Sequence, residues 1–227
     1  MKLKRLLAPE FWKIPKKSVK FAVSPKPGPH KKFECIPLLI IVRDILKLAE
    51  TGKEAKKIIK KGEILVDGRK RKEHAYPVGL MDVVSIPRIK KYFRVVPSEK
   101  GLELVEIEES ESNKKVCRIN NKRIIKKGKV QLNLHDGRNI VVEKDDYKTG
   151  DSLVIELPSQ KILQHIKFGV GSVGIILKGK NSGKKAKVEN IVERKSLRES
   201  RIVVCDVEGK RVETSKDYFF VVEQGSD

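Results

Sequence analysis

Long apolar runs are missing from this chain of 227 residues, and none approaches the roughly 20 residues that a membrane-spanning helix needs. The start, Met1-Lys-Leu-Lys-Arg-Leu-Leu-Ala-Pro9, stops short of a signal-peptide core. Cysteine is scarce: Cys35, Cys117 and Cys205 lie far apart. They form no pair-spaced ligand set, so neither a zinc ribbon nor a disulfide framework is indicated, and the setting is read as reducing and intracellular. The four histidines, His30, His74, His135 and His165, fall on loops or connectors without metal spacing or an obvious carboxylate orienter. No Gly-x-Ser-x-Gly elbow and no dinucleotide fingerprint occurs. Cofactor, metal ion and small-molecule substrate are therefore not expected. Acid is also in deficit, with 30 Asp and Glu against 51 Lys and Arg.

That deficit leaves a net charge of +21 and a pI near 9.8. Self-repulsion of this size opposes compaction, and a polyanionic partner relieves it. Nucleic acid fits better than membrane, given the missing apolar runs. The excess is uneven: +8 in each of residues 1–35 and 36–102, +1 in 103–165 and +4 in 166–227. A polyanion is thus expected to meet the first half chiefly, with a second contact near the C-terminus.

Local order is most legible from Pro37 to Arg71. Pro37 suits a first helical position, and Leu38, Ile41, Val42, Ile45, Leu46 and Ala49 recur at helical spacing. Thr51 with Glu54 is a capping-box signature for a second helix to about Lys61, and Gly62 falls at its C-terminal cap. Ala55, Ile58 and Ile59 can face a core, leaving Lys53, Lys56, Lys57, Lys60 and Lys61 around the rest. Ile64-Leu65-Val66 reads as a strand, Asp67-Gly68 as a hairpin turn and Arg69 to Lys72 as the return. Lysines around one helix are ordinarily just its solvated face. Here they share a compact unit with the hairpin cations, and together they make a phosphate-gripping surface.

The flanks are plainer. Residues 1–35 hold five prolines and Phe11, Trp12, Phe21 and Phe33, and read as an extended arm. A helical turn fits around Lys4 to Trp12, and the aromatics would pack on the arm's own domain or on RNA. Tyr76 to Ile86 reads as a turn, with Gly79 where no side chain is tolerated, feeding a strand at Val83 to Ile86 that closes the sheet begun at Ile64. From Gly101 the texture is β. Strands are expected at Leu102–Ile107, Val116–Ile119, Lys129–Leu134, Asn139–Val142 and Leu153–Leu157, in a small barrel or closed sheet. Glu108 to Glu111 reads as a solvated loop, and Asp145-Asp146 as surface carboxylates. Strands are also expected at Gly171–Leu177, Val188–Val192, Ile202–Val207 and Tyr218–Val222, with a basic glycine-containing loop at 178–187. That loop lacks the Gly-Lys-Ser/Thr ending of a nucleotide-hydrolysing loop.

Ala55-x-x-Ile58-x-x-Gly62-x-Ile64-x-Val66-Asp67-Gly68 resembles the ribosomal S-four-type RNA-binding module, which also occurs in pseudouridine synthases and a tRNA synthetase. Val173 to Val188 resembles the KOW motif, with Ala186 where that motif characteristically has glycine, so that the backbone there is less free to take a positive φ. Leu7-Ala8-Pro9-x-x-Trp12, Gly28-Pro29-His30-Lys31, Glu34-Cys35-Ile36-Pro37-Leu38 and Tyr76-Pro-x-Gly-x-Met-Asp-Val-x-Ser-Ile86 resemble the small-subunit ribosomal protein four-e family, in an archaeal-like form. The resemblance spans essentially the whole chain.

It implies an α+β multidomain protein. The parts are a basic N-terminal arm (1–35), an S-four-type RNA-binding module of two helices plus a small sheet (36–102), a central small β domain (103–165) and a C-terminal SH3-like β-barrel with the KOW motif (166–227). It implies a non-enzymatic, cytoplasmic component of the small ribosomal subunit, partnered by small-subunit rRNA and neighbouring ribosomal proteins. The RNA-contact candidates on the arm are Lys2, Lys4, Arg5, Trp12, Lys13, Lys16, Lys17, His30 and Lys31. On the module they are Arg43, Lys53, Lys56, Lys57, Lys60, Arg69 and Arg71, and on the loop Lys178, Lys180 and Lys184. Two other classes stay open: an RNA-modifying enzyme, which needs a catalytic aspartate in a larger α/β domain, and a transcription or assembly factor.

Overall fold

A computed structural model describes residues 2–15, 17, 19–125, 128–194 and 200–223. The chain divides into two compact units. One comprises residues 1–96, 102–115 and 157–159, the other residues 97–101, 116–156 and 160–227.

In the first unit β1 (Lys2–Lys4) pairs antiparallel with β2 (Phe21–Val23), and 3₁₀ turns at Arg5–Leu7 and Glu10–Trp12 lie between them. Of the two surfaces expected for the arm's aromatics, its own domain or RNA, Trp12 takes the first. Leu3, Ala8, Trp12, Ile14 and Ala22 belong to one apolar core with Ile36, Leu38, Ile59 and Val84. Trp12 is fully buried, and its Nε1–H donates to the Cys35 carbonyl at 2.8 Å. A buried indole with its donor satisfied contributes a large apolar area at no polar cost. That contact is invisible to any local pattern.

Next come β3 (Cys35–Pro37), α1 (Leu38–Ile40), α2 (Gly52–Lys61), β4 (Leu65–Val66), β5 (Arg69–Lys70), β6 (Pro77–Gly79), β7 (Val83–Ile86), β8 (Lys91–Ser98), β9 (Gly101–Ile107) and α3 (Glu109–Ser112). β3 pairs with β6, and one five-stranded sheet runs β5-β4-β7-β8-β9. β9, read from sequence as the start of the central β region, is an outer strand of this sheet.

The first expected helix is shorter than its periodicity suggests. α1 gives way at Ile41–Ile45 to π winding, with the Leu46 N–H donating to the Ile41 carbonyl at 2.8 Å. Leu38 to Val42 are all buried, so this segment is a core plug with no solvent face to keep a regular period. α2 matches expectation. The Glu54 N–H donates to Thr51 Oγ1 and the Thr51 N–H to Glu54 Oε2, each at 3.2 Å, and Gly62 closes the helix at φ +77°. Asp67 and Gly68 both take positive φ between β4 and β5, as the tight hairpin turn demands. β7 pairs with β4 as expected.

The segment Glu108 to Glu111 is not a free loop: α3 forms there, and Tyr92 Oη donates to Glu109 Oε1 at 2.7 Å while Arg94 bonds Glu111.

The second unit contains two antiparallel sheets. The first uses β10 (Lys114–Ile124), β11 (Val130–Leu134), β12 (Asn139–Val142), β13 (Ser152–Glu156) and β14 (Ile162–Ile166), in the order β12-β11-β10-β13-β14. β14 was not expected from sequence. The second uses β15 (Val173–Ile176), β16 (Lys185–Arg194), β17 (Ser200–Val207), β18 (Lys210–Ser215) and β19 (Phe219–Glu223), in the order β18-β17-β16-β15-β19. Ile176, Val188, Val203, Cys205 and Phe219 form its core. Ala186 lies in β16, buried and paired with Gly174, away from any positive-φ position. The alanine is therefore accommodated without strain. The basic loop is accordingly shorter than read, because Lys185 already belongs to β16. Among the described residues no helix is long and apolar enough to cross a membrane.

Candidate nucleic-acid interface

α2 presents the clearest set of free cations. Its apolar face is fixed by Ala55 and Ile59, both fully buried, which turns Lys53, Lys56, Lys57 and Lys60 outward. None of these four lysines has an ion-pair or hydrogen-bond partner among the described residues, and the one acidic residue in the helix, Glu54, is engaged at its own N-terminus. Positive side chains near a helix C-terminus also complement its dipole.

The hairpin brings further charge to that end. A Cβ at Gly62 would lie 3.7 Å from Lys70 Cδ and 3.8 Å from Lys72 Cε, so both lysines approach the helix C-terminus. His74 senses the same field: partial burial lowers its pKa, Glu73 opposes that, and Lys56, Lys26 and Lys60 lower it further. Lys26, Lys70, Lys72 and His74 were not among the sequence candidates. The helix C-cap beside a hairpin was the available signal, because it places the return strand at the helix end. Arg69 is exposed on β5. Arg71 is half-buried, with its guanidinium 4.5 Å from the centre of the Tyr76 ring and its buried Nε without a hydrogen-bond partner. Burial raises the Tyr76 pKa and Arg71 counters it.

The arm's candidates divide. Lys4, Lys17 and Lys31 are exposed. Lys13 is exposed but sits 2.8 Å from Glu103. Lys2 lies in β1, and Lys16 is outside the described residues. Arg5, Trp12 and His30 are interior, which corrects their reading as surface contacts. Arg5 is 5% exposed and donates Nε and Nη2 to the Ile14 carbonyl. His30 lies against Gly79, where a Cβ would come 2.3 Å from the ring, so the expected intolerance of a side chain at Gly79 has a specific cause. Arg43 is half-buried and paired with Asp44 at 2.9 Å.

His30 also belongs to a buried ionic knot. Its Nε2 is 2.9 Å from Asp82 Oδ2, which also accepts the Gly79 N–H at 2.9 Å. Lys115 Nζ, fully buried, donates to Asp82 Oδ1 at 2.6 Å and to Asp67 Oδ2 at 2.8 Å, while Asp67 Oδ1 accepts the Val83 N–H. Burial pushes the Asp82 carboxyl upward, but Lys115 and His30 outweigh it and hold the group well below the usual carboxylate range. This knot ties the arm, the Asp67-Gly68 turn and β7 together. The histidines are not without carboxylate orienters, as the sequence suggested: His165 meets Asp151 at 2.8 Å and His74 meets Glu73 at 3.0 Å.

In the second unit Lys178 and Lys180 are exposed, and Lys178 lies 5.8 Å over the Tyr218 ring. Lys184 is paired with Glu208 at 3.0 Å. Gly179 and Gly183 both take positive φ, and the Ser182 hydroxyl donates to the Leu177 carbonyl, so the turn is internally held. Asp145 pairs with Lys122 at 2.6 Å.

Among the described residues one group has donor types suited to a metal: one potential ligand atom each of Cys117, His135 and Asp136 lies within 4.8 Å of the others. Hydrogen bonds already account for them. His135 Nδ1 accepts the Arg118 N–H, the Cys117 thiol points at Asp136 Oδ2, and Arg138 Nε lies 3.3 Å from the same oxygen. A guanidinium in that position competes with a cation.

Three family models match successive parts of the chain: the RS4NT domain over residues 1–33, the S4 domain over 37–84, and Ribosomal family S4e over 89–162. The chain is 49% identical to a small ribosomal subunit protein eS4 of Methanocaldococcus jannaschii, with 97% of this chain and 93% of that protein covered. It is 45% identical to an eS4 protein of Methanococcus vannielii, with 98% and 93% covered. Its fold is similar to the crystal structure of the 30S ribosomal protein S4e from Thermoplasma acidophilum. There the TM-score is 0.73 at 28% identity, covering 84% of this chain and 96% of that one.

Proposed function

The chain belongs to the ribosomal S4e family, and from that premise we propose that it is a structural constituent of the small ribosomal subunit that binds small-subunit rRNA without catalysis. The observation that carries this is the α2 face: four exposed lysines without partners, joined at the helix end by Lys70 and Lys72. Cations left uncompensated in a chain of net charge +21 favour phosphate as their counter-charge. Arg69 and Arg71 extend that surface from the hairpin, Lys4, Lys17 and Lys31 from the arm, and Lys178 and Lys180 form a second contact on the C-terminal loop. We assign the four segments 1–35, 36–102, 103–165 and 166–227 to arm, S4 module, central scaffold and KOW-type SH3-like unit, except that β9 goes with the module whose sheet it joins, with neighbouring ribosomal proteins as further partners in a cytoplasmic particle.

Recognition of folded RNA by this surface is mainly of shape and backbone. A high-salt sucrose gradient of cell extract, followed by mapping of the RNA the protein protects, tests the reading. Co-sedimentation with small subunits and protection of their rRNA are expected. Free protein, or protein travelling with polymerase, would replace this reading with a transcription-factor role.

A further inference from the structure

We propose that an apolar groove in the first unit, between the turn at residues 45–48 and the β7–β8 connection with its flanking strand residues (86–93), seats one unstacked RNA base, with its flanking phosphates on Lys47 and Lys90. This rests on the RNA-binding reading above and adds to it a contact that is not electrostatic. The groove has a volume of about 260 Å³ and is lined by Leu46, Leu48, Ile86, Ile89, Lys91 and Phe93. That is below the roughly 300–1,000 Å³ of sites that enclose whole small-molecule ligands, and suits a single flat ring.

Ile86 and Phe93 are buried and close the floor, while Leu48 and Ile89 are 37% and 44% exposed at the lips. Each lip couples an exposed apolar side chain to an adjacent exposed lysine, Leu48 to Lys47 and Ile89 to Lys90. Both lysines adopt left-handed backbone, at φ +52° and +51°, a conformation that glycine takes more cheaply. Neither lysine side chain has an ion-pair or hydrogen-bond partner among the described residues. The molecule thus accepts backbone strain at two points and keeps an uncompensated cation at each. Lys91, on the rim, is already met by Glu106 at 3.7 Å.

An apolar slot whose two lip residues each adjoin an unpaired lysine in the chain complements a nucleobase, whose faces stack on nonpolar surface while phosphates lie on either side of it. An apolar side chain from a neighbouring protein would fill the slot yet leave both lysines without counter-charge. The base is therefore the better fit.

The test titrates full-length protein with small-subunit rRNA over a range of salt, comparing wild type with Leu48→Ser/Ile89→Ser. Loss of one stacked base lowers affinity by about tenfold. The slope of log affinity against log salt stays the same, because no phosphate contact is removed. A photoreactive side chain in place of Leu48 is expected to crosslink to a nucleotide. Unchanged affinity, or a crosslink to protein alone in the assembled subunit, overturns the proposal. Should the double variant fail to fold, Ile89→Ser alone and the crosslink decide it. Wild-type protein that binds no rRNA at low salt brings down the broader reading instead.

Discussion

Lys115 and the lysines of α2 carry the same side chain and put it to opposite uses. Lys115 is fully buried between Asp67 and Asp82, with its charge spent inside the fold. Lys53, Lys56, Lys57 and Lys60 face water with no protein partner, so their charge is available to a ligand. Total charge therefore overstates what a polyanion meets. Lys184 makes the same point on the C-terminal loop, where Glu208 already answers it while Lys180 stands exposed. The useful quantity is exposed, unpaired cation, and tertiary contacts set it.

The largest effect should come from breaking the buried side of this contrast. Lys115→Met leaves Asp67 and Asp82 buried without their shared cation, and should cost about 3–5 kcal/mol of stability. Urea denaturation measures it; a loss below about 1 kcal/mol would mean that the knot is not what holds the arm and hairpin together.

On the exposed side, Lys56→Glu/Lys57→Glu/Lys60→Glu should lower the unfolding free energy by no more than about 2 kcal/mol, well short of the Lys115→Met loss. The same variant should weaken rRNA binding and flatten the log–log salt slope by about 2–3, near 0.9 per phosphate lost on duplex. An unchanged slope clears these lysines of phosphate contact.

A smaller effect separates the loop lysines. Lys180→Ala should lower rRNA affinity and reduce the slope by up to about 1, whereas Lys184→Ala should move it less, since Glu208 competes for that charge. Equal losses from the two variants would erase the distinction between paired and unpaired cations.

The finest probe is His74. Its folded pKa lies below the ordinary value, through partial burial and the field of Lys56, Lys26 and Lys60, against the pull of Glu73. The fold therefore binds fewer protons than the unfolded chain through this range, and His74 makes the protein less stable as pH falls below about 6.5. Bound phosphate should offset the lysine field and raise the His74 pKa. An NMR titration with and without rRNA checks the direction, and a pKa unmoved by RNA would place the ligand elsewhere.

The legible parts of this molecule were local ones. The Thr51–Glu54 capping box, the Gly62 cap and the Asp67-Gly68 turn are short-range devices whose residue types follow from backbone geometry, and each forms as read. The helix after Pro37 misled because its apolar spacing reflects burial on all sides, not an amphipathic face, and it unwinds into a π turn at Ile41–Ile45. Arg5, Trp12 and His30 misled for another reason. Each has a chemistry that RNA would accept, but each meets a group outside its own turn first: the Ile14 carbonyl nine residues on for Arg5, and the more distant Cys35 carbonyl and Asp82 for Trp12 and His30.

By itself the sequence determined the excess of cations, its weight in the first half, the α2 helix with its lysine face and the turn that follows. These depend on composition and on neighbours three or four residues apart. Only the tertiary structure decided that the arm is docked, that Lys115 and Arg5 are interior, and that Lys70, Lys72 and His74 join the helix end. Burial and ion pairing are set by residues tens of positions away, and a low-dielectric interior makes every such pairing decisive for whether a charge stays inside or remains free.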